Sequence, residues 1–252
     1  MTKLYRPLSI FLFAIIFMSC SEDDPLPVPL VNFALDPGVV EVGVPVQFDN
    51  LSTNASSYEW DFGNGDVFSD ISPTVTFSSA GDVTVTLRAF TEDNQVDSVS
   101  QTFRVNERVL TGYVLNVFPA SNLGAAWDPD SAGVQQLPDL IVQFLPDDPN
   151  NDQGFVDGIF VNRVAGPIGS TIDPNFNRVV LSNEEWTFFV FDFDGDIDNI
   201  QPEDLEFMIG AQFNPMDAAT FKNDQGDAGF ISVLLVDSDG NVLDVDFTFE
   251  LQ

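Results

Sequence analysis

The sequence predicts an all-β protein built as two sandwiches in series, and three observations predict it. Apolar residues alternate with polar ones at a period of two in many short runs. Clusters of Gly, Asn, Asp and Ser separate those runs. No stretch carries a 3.6-residue apolar period long enough to make a helix compete. In the first half, Val44, Val46 and Phe48 alternate with polar neighbours, and Val83, Val85 and Leu87 alternate with Thr84, Thr86 and Arg88, which should face water. Val99, Gln101, Phe103 and Val105 follow a Glu92-Asp93-Asn94 turn, giving a hairpin whose second strand closes the first module.

Within that module, Tyr58-Glu59-Trp60-Asp61-Phe62-Gly63-Asn64-Gly65-Asp66 is followed by Pro73, Phe77, Gly81 and the Val83 to Leu87 strand. Trp60 and Phe62 are the natural core fillers, while Gly63 and Gly65 allow a tight turn with positive φ. This run resembles a PKD domain, which implies an immunoglobulin-like β-sandwich over residues 31–106. Asn64 stands where that motif usually has Asp, and a turn accepts either residue. The Gly pair lacks the third Gly and the helix of a dinucleotide fingerprint, so its role is structural. Residues 106–108 form a short polar joint without Gly or Pro, which predicts coupled modules.

The second module, residues 109–252, reads as strands at Tyr113 to Phe118, Leu140 to Leu145, Phe155 to Val161, Trp186 to Phe193, Phe230 to Val236 and Val242 to Leu251. In the last of these Leu243, Val245, Phe247, Phe249 and Leu251 form a buried face against Asp244, Asp246, Thr248 and Glu250. Asp237 to Asn241 is its hairpin turn. Trp186 to Phe193 is apolar on both faces and therefore central.

The N-terminus reads as an address. Lys3 and Arg6 precede an apolar run from Leu8 to Met18, far short of the ~20 residues a membrane-spanning helix needs. The run ends at Phe17-Met18-Ser19-Cys20, which resembles a bacterial lipobox; residues 1–19 are then a signal peptide and Cys20 the lipidated first residue. Residues 20–30 form an acidic and Pro-rich tether, and Ser21-Glu22-Asp23-Asp24 resembles the stretch that sends Bacteroidetes lipoproteins to the outer face of the outer membrane. The resemblance implies a lipid-anchored, surface-exposed protein of the outer membrane.

The composition excludes much chemistry. There is no histidine and a single cysteine, so His-dependent nucleophile pairs, imidazole zinc sites and, with Cys20 acylated, thiol chemistry are removed. Past the signal peptide 6 basic residues face 40 acidic ones, a formal charge of −34, which excludes nucleic acid as a partner.

The acids gather at Asp192-Phe193-Asp194-Gly195-Asp196-Ile197-Asp198, with Glu203, Asp204 and Glu206 close behind. Carboxylates bunched at a strand end raise one another's pKa unless a cation sits among them, and an oxygen-only ligand set selects a hard ion such as Ca²⁺. The stretch is not an EF-hand, because Ile197 occupies the position where Gly is required. It resembles the third calcium loop of a C2 domain, where Asp-x-Asp leaves a strand and an acid precedes a hydrophobic-Gly pair, here Ile209-Gly210. Phe207 stands where that family has an Asp, with Asp204 and Glu206 the nearest substitutes. The family's first calcium loop has a counterpart in Trp127-Asp128-Pro129-Asp130 followed by Pro138-Asp139-Leu140. The implied calcium ligands are Asp192, Asp194, Asp196, Asp198, Asp128, Asp130, Asp139 and Asp204. Asp147, Asp148 and Asp152 read as solvated loop acids.

The expected function is a non-catalytic surface binding or adhesion module, stabilised by calcium on an immunoglobulin-like spacer, with a protein or polysaccharide ligand. The alternative is a glycan-processing accessory protein or a glycoside hydrolase with a carboxylate pair; no acid in the sequence is marked as sitting in an apolar pocket, as such a pair would require.

Overall fold

A computed structural model describes residues 28–36, 38–63, 65–119, 121, 127, 138–160, 167–172, 178–194 and 201–252. The signal peptide, Cys20 and the acidic part of the tether lie outside them. The described chain is all-β, with one short 3₁₀ turn at Pro202–Asp204.

The first module comprises β1 (Phe33–Asp36), β2 (Val40–Glu41), β3 (Pro45–Asn50), β4 (Ser57–Asp61), β5 (Val67–Phe68), β6 (Thr74–Thr76), β7 (Gly81–Phe90) and β8 (Val96–Asn106). They form a sheet β1-β3-β6 facing a sheet β2-β8-β7-β4-β5. The predicted alternation is what closes it: Val46, Phe48, Val85, Leu87 and Val105 are buried around Trp60 and Phe62. Trp60 meets Phe33 edge-on at 5.2 Å and donates its Nε1–H to the Asp70 carbonyl at 3.0 Å, so the indole loses no hydrogen bond on burial. Outside, Thr84 pairs with Thr102 and Thr86 with Ser100 across β7 and β8. Gly63 and Gly65 have φ of +79° and +88°, as the tight turn after β4 requires.

The second module comprises β9 (Arg108–Val117), β10 (Leu140–Pro146), β11 (Phe155–Phe160), β12 (Ile168–Thr171), β13 (Trp186–Phe193), β14 (Leu205–Phe213), β15 (Ala219–Lys222), β16 (Ala228–Val236) and β17 (Val242–Leu251). A four-stranded sheet β11-β10-β13-β14 packs on a five-stranded sheet β12-β9-β17-β16-β15. β13 is internal, as its two apolar faces predict, and Phe188 meets Phe247 of the opposite sheet edge-on at 5.1 Å. Three strands, β12, β14 and β15, had no counterpart in the sequence reading.

The joint differs from a polar linker. Arg108 already belongs to β9 and only Glu107 separates it from β8. Glu107 and Gln252 exchange both backbone hydrogen bonds, at 2.9 and 3.0 Å. Arg108, 4% exposed, donates its Nε–H to Glu41 Oε1 of the first module at 2.6 Å, and Lys222 donates to Glu41 Oε2 at 2.7 Å. The expected coupling therefore rests on a triad made of the buried Arg108–Glu41 pair and the more exposed Lys222.

Strand direction sets the polarity of the molecule. β8 ends at the joint, and Leu30 bridges to Thr53 at the opposite end of the first module, where Ser56 bonds the Phe90 carbonyl. β9 leaves the joint and reaches Val117, opposite Asp244, beside the 237–241 turn. Entry point and far tip thus lie at opposite ends.

Candidate functional site

The acidic cluster forms where β13 and β14 meet at the tip remote from the joint. Asp192, the penultimate residue of β13, is buried between Leu140 of β10 and Glu206 of β14 in register. A register shift between Val190 and Phe191 marks a β-bulge, which leaves Met208 and Ile209 both buried and sets Glu206 opposite Asp192. Re-aiming a side chain next to a site is the usual consequence of a bulge.

One carboxylate oxygen each from Asp192, Asp194 and Glu206 lies within 4.8 Å of the others. Asp192 is 0% exposed, while Asp194 and Glu206 are exposed. Asp192 Oδ1 accepts the Asp139 N–H at 2.9 Å, and Oδ2 is buried with no hydrogen-bond donor among the described residues. Burial pushes the Asp192 pKa up to about 6; the Asp139 N–H opposes the rise, and the charge of Asp194 adds to it. A fully buried carboxylate with one bare oxygen, beside two further carboxylates, is a costly arrangement for an anion and a favourable one for an oxygen-ligated hard cation.

The sequence-nominated residues fall into three groups. Asp192 and Asp194 come together. Asp139 stands beside them and holds Asp192 through its backbone N–H, while its carbonyl accepts from Phe193 N–H at 2.8 Å. Asp204 is adjacent but its carboxylate turns to the Gln201 N–H at 2.9 Å, and its carbonyl accepts from Asp194 N–H. Glu206, not Asp204, thus completes the three-carboxylate group. Asp196, Asp198, Asp128 and Asp130 lie outside the described residues. Sequence reasoning also found no acid in an apolar setting, whereas Asp192 is one; its burial follows from pairing with β10 and β14, which alternation alone does not reveal.

Neighbouring acids are settled by local donors. Asp147 accepts from Thr187 Oγ1 at 3.0 Å and from Gln212, and Asp148 accepts from Asn150. At the tip Asp237 is held below the usual carboxylate range by the Asn241 side chain first, then by backbone N–H groups of the same turn. Trp127, whose indole bonds the Pro119 carbonyl at 3.1 Å, lines a cavity of about 210 Å³ there with Phe207, Met208 and Asp237.

Comparison with known proteins bears on the first module. Residues 30–106 match the PKD domain family. This module is a PKD domain. The PKD1 domain of Vibrio anguillarum Epp is 29% identical over 31% of this chain and 94% of its own, with a TM-score of 0.28. The PKD1 domain of the Vibrio cholerae metalloprotease PrtV is 32% identical over 31% and 98%, with a TM-score of 0.28. A structure of promiscuous carbohydrate-binding modules from the β-sandwich superfamily is 11% identical over 90% and 94%, with a TM-score of 0.31. No curated protein matches the chain. The PKD domain accounts for Trp60, Phe62 and the turn after them, and it holds none of the three clustered carboxylates.

Proposed function

We propose that the chain is a non-catalytic binding module in which a PKD spacer carries a calcium-stabilised sandwich. Lipidation at Cys20 would fix it to the outer membrane with the acidic tip facing outward. The observation that carries the cation is Asp192: its carboxylate is fully buried, and its Oδ2 lacks a donor among the described residues while Asp194 and Glu206 stand close by. Those three residues would hold the ion, and loop carbonyls or waters would complete the 6 to 8 oxygens typical of Ca²⁺. The likeness to the calcium loops of C2 domains enters only through this pairing. A ligand, protein or polysaccharide, would meet the module at this tip.

Calcium titration of the chain from Ser21 onward tests the reading, since both cores begin after that point. Saturable heat and a raised melting temperature are expected, with a stabilisation of about 2.7 kcal/mol at a hundredfold excess over Kd. Asp192→Asn plus Asp194→Asn should remove both. Absence of heat and of any thermal shift in the native chain would reject the site.

Among the described residues, the raised Asp192 carboxyl is the observation that favours a hydrolase acid. Asp194 and Glu206 place two further carboxylate oxygens within 4.8 Å of it, a ligand set for a cation, so we assign it to cation binding. Turnover of a glycan panel that is lost in Asp192→Asn would reverse that assignment.

A further inference from the structure

The joint between the modules carries a cleft whose lining differs in character from the acidic tip. A cleft of about 480 Å³, within the range of small-molecule sites, opens between the PKD domain and the distal sandwich. Its apolar walls are Val42 and Phe77 from one module and Leu181 and Met216 from the other, and Arg108 is among its lining residues.

The guanidinium of Arg108 is partly committed. Nε donates to Glu41 Oε1, Nη1 donates to the Pro215 carbonyl at 2.5 Å, and the plane lies over the Phe249 ring at 4.6 Å. Among the described residues no acceptor takes Nη2. The local charge is unbalanced as well, because among the described residues Glu41 alone answers both Arg108 and Lys222. Glu41 and Lys222 stand behind the cleft wall; among the described residues the carboxylate that lines the cleft is Glu107, which is matched by Arg178 at 2.8 Å. With Glu107 matched by Arg178, Arg108 is the cationic lining residue left to meet an anionic ligand end.

We propose that the joint cleft binds an organic monocarboxylate with an apolar body. Its carboxylate accepts from Arg108 Nη2 and closes the charge count of the triad, and its hydrocarbon part lies against Phe77, Leu181 and Met216. A charge-assisted bond to a nearly buried arginine fixes one end of the ligand. The apolar walls select the other. Because both modules supply a wall, the bound ligand also bridges them.

Isothermal titration of the chain from Ser21 onward with hexanoate, and with hexanamide as its neutral counterpart, tests the proposal. Hexanoate should bind saturably and at least about tenfold more tightly than the amide. Arg108→Gln, which removes the charge, should abolish the difference, but Arg108 is also structural. Ser78→Trp therefore supplies the second arm: Ser78 is exposed, lines the cleft and belongs to no ion pair, and an indole there fills the space. This variant should keep a native melt and lose hexanoate at least tenfold. N-acetyl-Gly-Leu with a free or amidated end separates a peptide terminus from a free acid as the source of the carboxylate. Equal binding of hexanoate and hexanamide, no binding of hexanoate, or binding untouched by Ser78→Trp would overturn the proposal. None of these readouts involves calcium, so they stand or fall apart from the tip site.

Discussion

Asp192 concentrates the chemistry of the tip in one side chain. A carboxyl whose folded pKa is about 6, against about 3.9 in an unfolded chain, holds its proton more tightly when folded. Without cation, its contribution to stability is therefore full below about pH 4 and is lost as pH rises through 6. The loss amounts to roughly 3 kcal/mol, two pKa units at about 1.4 kcal/mol each. Asp192→Asn cannot ionise, yet its amide oxygen can still accept the Asp139 N–H. In EDTA this variant should thus be more stable than the native chain at pH 7.5, and the gap should close below pH 4. Calcium at pH 7.5 should reverse the order. Urea denaturation of both proteins at the two pH values measures the gap, and the subtraction cancels the many other acids. Equal stability at pH 7.5 in EDTA would mean that the carboxylate pays no desolvation cost.

At the scale of elements, close strand approach fixes where glycine is required. Gly229 of β16 faces Lys222 of β15, and a Cβ built on it would sit 2.1 Å from the Phe221 carbonyl oxygen. Backbone cannot yield as a side-chain end does, so Gly229→Ala should push β15 outward and cost about 1–3 kcal/mol. Lys222 rides on that strand, and its bond to Glu41 should weaken with it. Gly38→Ala, with nothing within 4 Å, is the neutral control for the same urea titration. The same physics explains which elements were legible from sequence. β17 has its predicted bounds because five inward apolar residues alternate without a break, and β13 was placed correctly because it is apolar on both faces. β14 escaped because the bulge buries Met208 and Ile209 in succession and so erases the alternation. β12 and β15 are four-residue edge strands, too short to show a period. For the site, acids spaced two apart at a strand end pointed to Asp192 and Asp194, whereas Glu206 is chosen by cross-strand register. Pairing of that kind depends on residues distant in sequence.

The molecule as a whole is held by such distant pairing. Glu41 lies 67 residues from Arg108 and 181 from Lys222, and nothing local in the chain announces that the three meet. A buried ion pair adds little net stability over an apolar substitute, but removing one partner strands the other charge. Glu41→Gln would leave Arg108 4% exposed with no anion, beside Lys222 of the same sign. A loss of about 3–5 kcal/mol is expected. The loss should fall on the joint, because each module keeps its own core of Trp60 with Phe48, or of Trp186 with Phe247. The native chain, with its modules tied by the triad and by the Glu107–Gln252 backbone pair, should melt in one calorimetric transition. Glu41→Gln should melt in two, the lower one shifted down. A single unshifted transition in the variant would show that the apolar contacts of the joint couple the modules by themselves. Two transitions in the native chain would show that the triad does not couple them at all. The outcome also decides geometry: β9 spans about 33 Å at ~3.3 Å per residue, and only a stiff joint would hold the acidic tip that far beyond the PKD domain.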